Sequence, residues 1–442
     1  MTDTLLRPSD PALTDPPRTG DESIGRIVGL DAARALAVFG MYFSHVGPWS
    51  MSEGLTWGSF LMQIPHGRSS ALFATLAGVS LVLIAGGHRP KTGRPMRQAA
   101  VKIAIRAVLL LALGTWLTAL GSSIVVILAF YGLYFLLALP FIKLRARTLA
   151  ILAVVFGLGG PLLRQWQGTV DTGWMAGFDA NDPLARWGGD GLLSLALNGT
   201  YPAASWMAYV FAGMAIGKLD LAKRAVQLRL LIIGPALGLL GYGGAWLVGK
   251  LLPSASPDAG ASSDSAWQAF DQAMSEALAG TDSKNWTAEE WEAWDAEHAS
   301  IYELAPDDPT ATGGGGIDWT GLVGASPHSG TPFELAGNIG VAFTIIAGLV
   351  FLLGRFAKLR FWLAPLIAVG SMSLTVYVGH IAGVWYLIDQ PVNGVGYQSG
   401  WKMWAVFVVA AMLFALIWKR FLKRGPLEWA MWAATKPAKF IK

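Results

Sequence analysis

Asp31, Arg34 and His45 fall within one apolar stretch, Asp31-Ala-Ala-Arg34-Ala-Leu-Ala-Val-Phe-Gly-Met-Tyr-Phe-Ser-His45. At about 3.6 residues per turn, Asp31 and Arg34 are one helical turn apart and Arg34 and His45 nearly three, so all three share a face. The rise from Arg34 to His45 is roughly 16 Å at 1.5 Å per residue, about half of a bilayer's hydrocarbon core. An Arg or Asp facing lipid at a helix centre costs about 2.5–3.5 kcal/mol on insertion scales. A polar stripe of this kind is expected to line a site. Its histidine has the chemistry of a general base at neutral pH, the unperturbed pKa being about 6.5. The structural alternatives are an Asp31 N-cap with Arg34 snorkelling to headgroups, or hydrogen bonds that hold neighbouring helices together.

The elements that carry these residues are membrane helices. The 442-residue chain is 53% hydrophobic and 14% charged, with a mean hydropathy of +0.46, whereas charged residues usually make up about 25% of a soluble domain. The net charge of +4 comes from basic residues in short loops and does not indicate a nucleic-acid partner. The chain has no cysteine, which excludes disulfides, thiol nucleophiles and cysteine-ligated metals. The polar, Pro-rich residues 1–26 precede the first span without a small-residue cleavage site, which reads as a retained signal anchor.

The fold class expected is all-α integral membrane, a polytopic bundle of ten or eleven transmembrane helices. Apolar stretches lie near 28–47, 69–87, 101–120, 122–141, 149–165, 203–217, 229–250, 336–354, 361–388 and 403–420. The stretch 361–388 is interrupted by Gly370-Ser-Met-Ser373 and reads as one span or as a half-helix followed by a span. Basic clusters at 89–106, 143–147, 218–229, 355–360 and 419–424 fall at alternate loops, which places both termini in the cytoplasm. The domain plan is a disordered cytoplasmic segment 1–26, helices one to seven over 27–250, an acidic extracytoplasmic loop 251–335, the remaining helices over 336–424 and a cytoplasmic tail 425–442. Residues 251–335 hold fifteen Asp or Glu and one basic residue, Lys284. Thr287-Ala-Glu-Glu290 is a capping-box start for a helix through Trp291, Trp294 and His298, and Gly313–Gly316 is a flexible break. This loop is either a solvated insertion or a lid.

With that topology His45, His66, His328 and His380 gather toward the outer face, whereas His88 is cytoplasmic and His298 lies in the acidic loop. Arg68 sits near the outer end of its span, against the positive-inside pattern, and needs an acidic partner such as Asp31 or Glu334, or an anionic substrate. Metal binding is not expected, since HxxxH and HExxH pairs are absent.

The first helix resembles the opening of acyltransferase family 3, with Asp31-Ala-Ala-Arg34-Ala-Leu-Ala and a histidine, His45, eleven residues after the arginine. Leu72-Phe-Ala-Thr-Leu-Ala-Gly78 is similar to the second span of YeiB-like membrane proteins. Met372-Ser-Leu-Thr-Val-Tyr-Val-Gly-His380 resembles a stretch shared by YeiB-like proteins and heparan-alpha-glucosaminide N-acetyltransferase. These groups look like branches of one transmembrane acyltransferase clan. The lumenal enzyme's histidine lies between spans one and two, whereas His45 falls earlier and His66 later. The resemblance implies an acyl-CoA donor, acetyl-CoA above all, used as co-substrate from the cytoplasm. The acceptor would be an extracytoplasmic glycan, glycolipid or envelope component. The carry-over falls on Arg34 and His45; with the topology above, the candidates are His45 and His380 in catalysis, Asp31 and Arg34 along the donor, and His66, Arg68 and His328 at the acceptor. The expected setting is a bacterial plasma membrane, multi-pass, among membrane lipids, with room for a homodimer. The other reading of the same stripe is a permeation path in a transporter or flippase for a lipid-linked or small anionic solute. A non-enzymatic scaffold using the acidic loop is the third.

Overall fold

The computed structural model describes residues 27–48, 64–169, 177–178, 181–252, 273–274, 277, 288–302, 319–390 and 400–441. Among these residues there are helices and no strands, and the chain is an all-α polytopic membrane protein. The main helices are α1 (Val28–Val46), α2 (Arg68–Ile84), α3 (Gly93–Ala119), α4 (Leu128–Ala138), α5 (Ala146–Thr169) and α6 (Ala203–Gly217). They continue with α7 (Arg224–Gly238, extended through a π turn to Leu251), α8 (Pro332–Arg355), α9 (Ala364–Gly370), α10 (Ser373–Val384), α11 (Trp401–Phe421) and α12 (Pro426–Ala434).

A helix occupies each apolar stretch expected from the sequence, although residues 122–127 are not helical and α4 begins only at Leu128. By length and composition, five described helices suffice to cross a bilayer: α3, α5, α7, α8 and α11. The α9–α10 pair is a sixth if counted as one span. The helices α2, α4 and α6 are shorter apolar ones. The short α6 is central: all its residues but Ala204 are buried, so protein rather than lipid surrounds it. A Cβ on Gly213 of α6 would lie 1.9 Å from the Thr75 carbonyl of α2, and close backbone approach through small residues is the usual way membrane helices associate. By contrast Val154, Ile232, Leu239 and Ile417 project exposed from α5, α7 and α11, the surface that lipid covers.

Within the stretch 361–388, after a short helix that ends at Trp362, Ala364–Gly370 and the helix from Ser373 are bent by 83° at residues 371–372. A break in a membrane helix leaves first-turn amides without partners, which is tolerated only inside protein or along a cavity. Here α12 supplies the partner: the Glu428 carboxylate accepts from Leu374 N (2.8 Å), Thr375 N (3.1 Å) and Thr375 Oγ1 (2.5 Å). The acidic side chain also faces the positive end of the α10 dipole. On the sequence alone residues 425–442 read as a cytoplasmic tail, and Pro426–Ala434 of it folds into α12. The segment following α12 lies on α3, where Arg94 Nε donates to the Ile441 carbonyl (3.0 Å) and Gln98 Nε2 to that of Lys439 (3.0 Å). In the acidic loop, Ala288–Glu297 is helical, and His298 lies flat against Trp294 with ring centroids 4.2 Å apart. Thr287 and Gly313–Gly316 lie outside the described residues.

The helix α1 runs between α2, α8, α9, α10 and α11. It can do so because it is narrow: Ala32, Ala33, Ala35 and Ala37 are fully buried. The tightest approach is at Gly370, where a Cβ would lie 1.6 Å from the Asp31 carbonyl oxygen. Gly370→Ala therefore drives α9 off α1, and overpacking of this kind costs about 1–3 kcal/mol. At Gly379 a Cβ meets open space, and Gly379→Ala is expected to stabilise α10 by up to about 1 kcal/mol. Thermal melts of the purified variants should move in opposite directions, and equal melting temperatures would contradict this packing.

Candidate functional site

The polar stripe of α1 opens at its two ends into different cavities. At the Arg34 end is a charged cavity of about 660 Å³ bordered by Asp31, Arg34, Arg106, Lys423, Arg424, Glu428 and Trp432. A second cavity of about 230 Å³ shares Arg34, Arg106 and Glu428 and continues between α2, α3, α4 and α10 past Phe73 and Tyr131. Asp31 is buried and takes a 2.9 Å salt bridge from Arg34, whose other terminal nitrogen donates to Ser80 Oγ of α2 at 2.9 Å. Glu428 is occupied by the first turn of α10. The Nε of Arg106 is buried with no hydrogen-bond partner. Three basic side chains thus remain beyond the Asp31–Arg34 pair, against one carboxylate. The balance suits an anion.

At the other end of α1 is a small cavity of about 30 Å³ lined by Ser44, His45, Ser69, Ser70, Tyr201, His328 and Tyr377, with Pro65, Gly67 and Ile127 among its walls. His45 Nδ1 and His380 Nε2 are 2.9 Å apart. The rings are nearly parallel, at 6°, with centroids 5.2 Å apart. That separation equals the N···N distance plus a ring radius at each end, so the imidazoles meet edge to edge in one plane. His380 Nδ1 lies 2.6 Å from the Tyr377 carbonyl oxygen. A carbonyl only accepts, so this nitrogen carries a proton. Neutral His380 then presents a lone pair at Nε2, and His45 Nδ1 must donate to it. His45 is left with its lone pair on Nε2, the arrangement of a general base whose tautomer a second group fixes. Tyr42 packs on the His380 ring at 4.5 Å and anchors α1 to α10 by donating to the Val376 carbonyl at 2.7 Å.

The structure brings His45, His328 and His380 together and sets Asp31 and Arg34 at the far end of the same helix. His380 is buried behind His45 rather than on the cavity wall. His66 and Arg68 flank the small cavity through Pro65 and Gly67. Burial, with a smaller contribution from His66 beside it, lowers the His328 pKa from 6.5 to about 4, so His328 is neutral at physiological pH. Arg68 stacks on the Tyr242 ring at 4.6 Å and donates from Nε to its hydroxyl at 3.0 Å. Of the two acids expected beside Arg68, Asp31 pairs with Arg34, and Glu334 connects to Arg68 through Tyr242 and Asn338. On the sequence alone Arg106, Lys423 and Arg424 read as loop charges. The signal that could have found Arg106 is its depth, thirteen residues or roughly 20 Å beyond the start of α3. No group of His, Asp or Glu side chains able to hold a metal occurs among the described residues.

Two family matches divide the chain. Residues 26–244 match the catalytic domain of heparan-alpha-glucosaminide N-acetyltransferase. Residues 323–437 match a family described as protein of unknown function (DUF418). No curated protein matches the chain significantly. All three cavities lie on the seam: Arg34, His45 and Arg106 come from the first match, and His328, Tyr377, Arg424 and Glu428 from the second. The chain therefore joins a heparan-alpha-glucosaminide N-acetyltransferase-like catalytic domain to a DUF418 (YeiB-like) domain, an acetyltransferase-type membrane protein.

Proposed function

We propose that the protein transfers an acyl group, acetyl by preference, from cytoplasmic acyl-CoA to a hydroxyl or amine of an extracytoplasmic glycan, glycolipid or envelope component. It would do so in a bacterial plasma membrane, with both termini cytoplasmic. The observation that carries this reading is the pairing of a cation-rich cavity and a histidine-lined cavity at opposite ends of one helix stripe. Residue 27 and residues 423–432 border the same charged cavity, in keeping with termini on one side.

Arg106, Lys423 and Arg424 hold the phosphates of the donor, which needs cations at the end of the path rather than along it. The pantetheine arm runs beside Arg34 and Ser80, and the roughly 16 Å from Arg34 to His45 is the length it must cover. Phe73 and Tyr131 on the donor side and Tyr377 on the other stand between the cavities, with Phe73 to Tyr131 at 5.5 Å and Phe73 to Tyr377 at 6.4 Å. The thioester carbonyl arrives past these rings at His45. His45 Nε2 takes the proton of the acceptor O–H or N–H while the freed lone pair attacks the carbonyl carbon. Collapse of the tetrahedral intermediate breaks the C–S bond, and the proton passes to the leaving thiolate. His380 holds His45 in the required tautomer, and His66, Arg68 and His328 orient the acceptor.

His45→Ala should lower transfer from radiolabelled acetyl-CoA by about 10²–10⁴-fold, the usual worth of a general base, in a protein that still folds. Retained turnover in this variant would remove His45 from the mechanism. Arg106→Gln should raise the KM for acetyl-CoA by about tenfold or more and leave the acceptor KM alone, since a hydrogen bond to a charged group is worth about 1.5–3 kcal/mol. An unchanged donor KM would place the phosphates elsewhere. Vesicle counterflow of solute without any acylated product would support transport instead.

A further inference from the structure

His328 is held at two costs that packing alone does not explain. It is the one described non-glycine residue with a positive φ, at +63°, a left-handed conformation that costs an L-residue of order 1–2 kcal/mol. Its Nδ1 is buried and has no hydrogen-bond partner, a further cost of about 1–3 kcal/mol. Both costs are met at a side chain that lines the same cavity as His45. Strain and unsatisfied polar groups that persist in a folded protein concentrate at functional sites.

The device that holds it is the buried carboxylate of Glu334, in the first turn of α8. Oε1 accepts from His328 N at 2.8 Å, and Oε2 accepts from Gly330 N at 2.7 Å and Ser329 Oγ at 3.2 Å. One carboxylate thus fixes three consecutive residues of the turn ahead of α8, and Thr331 caps that helix by accepting from Glu334 N at 3.1 Å. The resulting turn sets the His328 ring parallel to Trp206 at 6.2 Å and edge-on to Tyr201 at 5.3 Å. Behind it, Asn338 Nδ2 donates to Glu334 Oε1 at 3.2 Å and to Tyr209 at 3.0 Å, and Asn338 Oδ1 accepts from the Tyr242 hydroxyl at 2.5 Å. The same hydroxyl receives Arg68 Nε. A polar chain therefore runs from Arg68 through α7 and α8 to the backbone of His328.

We infer that Glu334 is a positioning residue that acts through His328, holding its Nδ1 in the cavity to take a hydrogen bond from the acceptor opposite His45. This role rests on the acyltransferase reading above. It assigns Glu334 to the acceptor alone, because its contacts lie at the His45 end and none of its partners borders the charged cavity.

A double-mutant cycle tests it in vesicles, with radiolabelled acetyl-CoA as donor and glucosamine or an envelope glycan and lipid extract as acceptor. Glu334→Gln removes the charge that binds both amides. His328→Gly removes the ring and takes the left-handed backbone without strain. Each should lower acceptor kcat/KM by about tenfold or more, mainly through KM, with the acetyl-CoA KM unchanged. The double variant should be no worse than His328→Gly, since Glu334 has no ring left to position. If Glu334→Gln does not fold, Asn338→Ala, which loosens Glu334 without removing it, completes the same cycle. Multiplying losses, or loss of thermal stability with wild-type kinetics, overturn the positioning role while leaving acyl transfer standing. Absence of transfer by the wild-type protein to every acceptor overturns both.

Discussion

A bilayer offers no water to Asp31, Arg34 and His45, so protein must satisfy every one of them. This constraint accounts for the position of α1 among five other helices and for its row of alanines, which lets those helices come close enough to supply partners. Arg34 reaches Asp31 on its own helix and Ser80 on α2, while His45 reaches His380 on α10. The contact of Gly370 with the Asp31 backbone is the steric expression of the same demand. The chain breaks at residues 371–372 where α9 passes α1, and α10 sets off in a new direction with His380 behind His45.

The break has its own requirement, and α12 meets it. Glu428 satisfies the opened amides of α10 and also borders the charged cavity. The orientation of His380 and the shape of the charged cavity thus depend on one short helix, α12. Neither matched domain completes the site alone. The N-terminal one brings the stripe, Arg106 and the loop around His66, and the C-terminal one brings His328, Glu334, His380, the two basic residues and Glu428. The seam between them is where a two-substrate reaction would be carried out.

Much of this was legible in the residues. Hydropathy located all ten stretches, because a spanning helix must be apolar along its length whatever its neighbours. The shared face of Asp31, Arg34 and His45 followed from helical periodicity. The Gly370-Ser-Met-Ser373 interruption marked the break, although the 83° bend depends on α1 and α12 and has no local signature. What stayed hidden depends on pairing between distant segments. Arg106 and Arg424 are 318 positions apart in sequence and border one cavity, yet each looked like an ordinary loop cation. Glu334 was visible only as a candidate partner for Arg68, whereas in the fold it reaches Arg68 through Tyr242 and Asn338 and spends its carboxylate on the His328 turn. His380 looked like a second catalytic group, and its place behind His45 emerges only once α10 is folded against α1.

The central claim is that one substrate path joins the cation-rich cavity to His45 along α1. An electron cryomicroscopy map of the protein in lipid with a non-hydrolysable acetyl-CoA thioether analogue tests it most directly. The account predicts density for the nucleotide phosphates against Arg106, Lys423 and Arg424, a pantetheine arm passing Arg34 and Ser80, and the acetyl carbon next to His45 Nε2. A nucleotide bound away from the charged cavity, or an arm that leaves α1 without reaching His45, would contradict it.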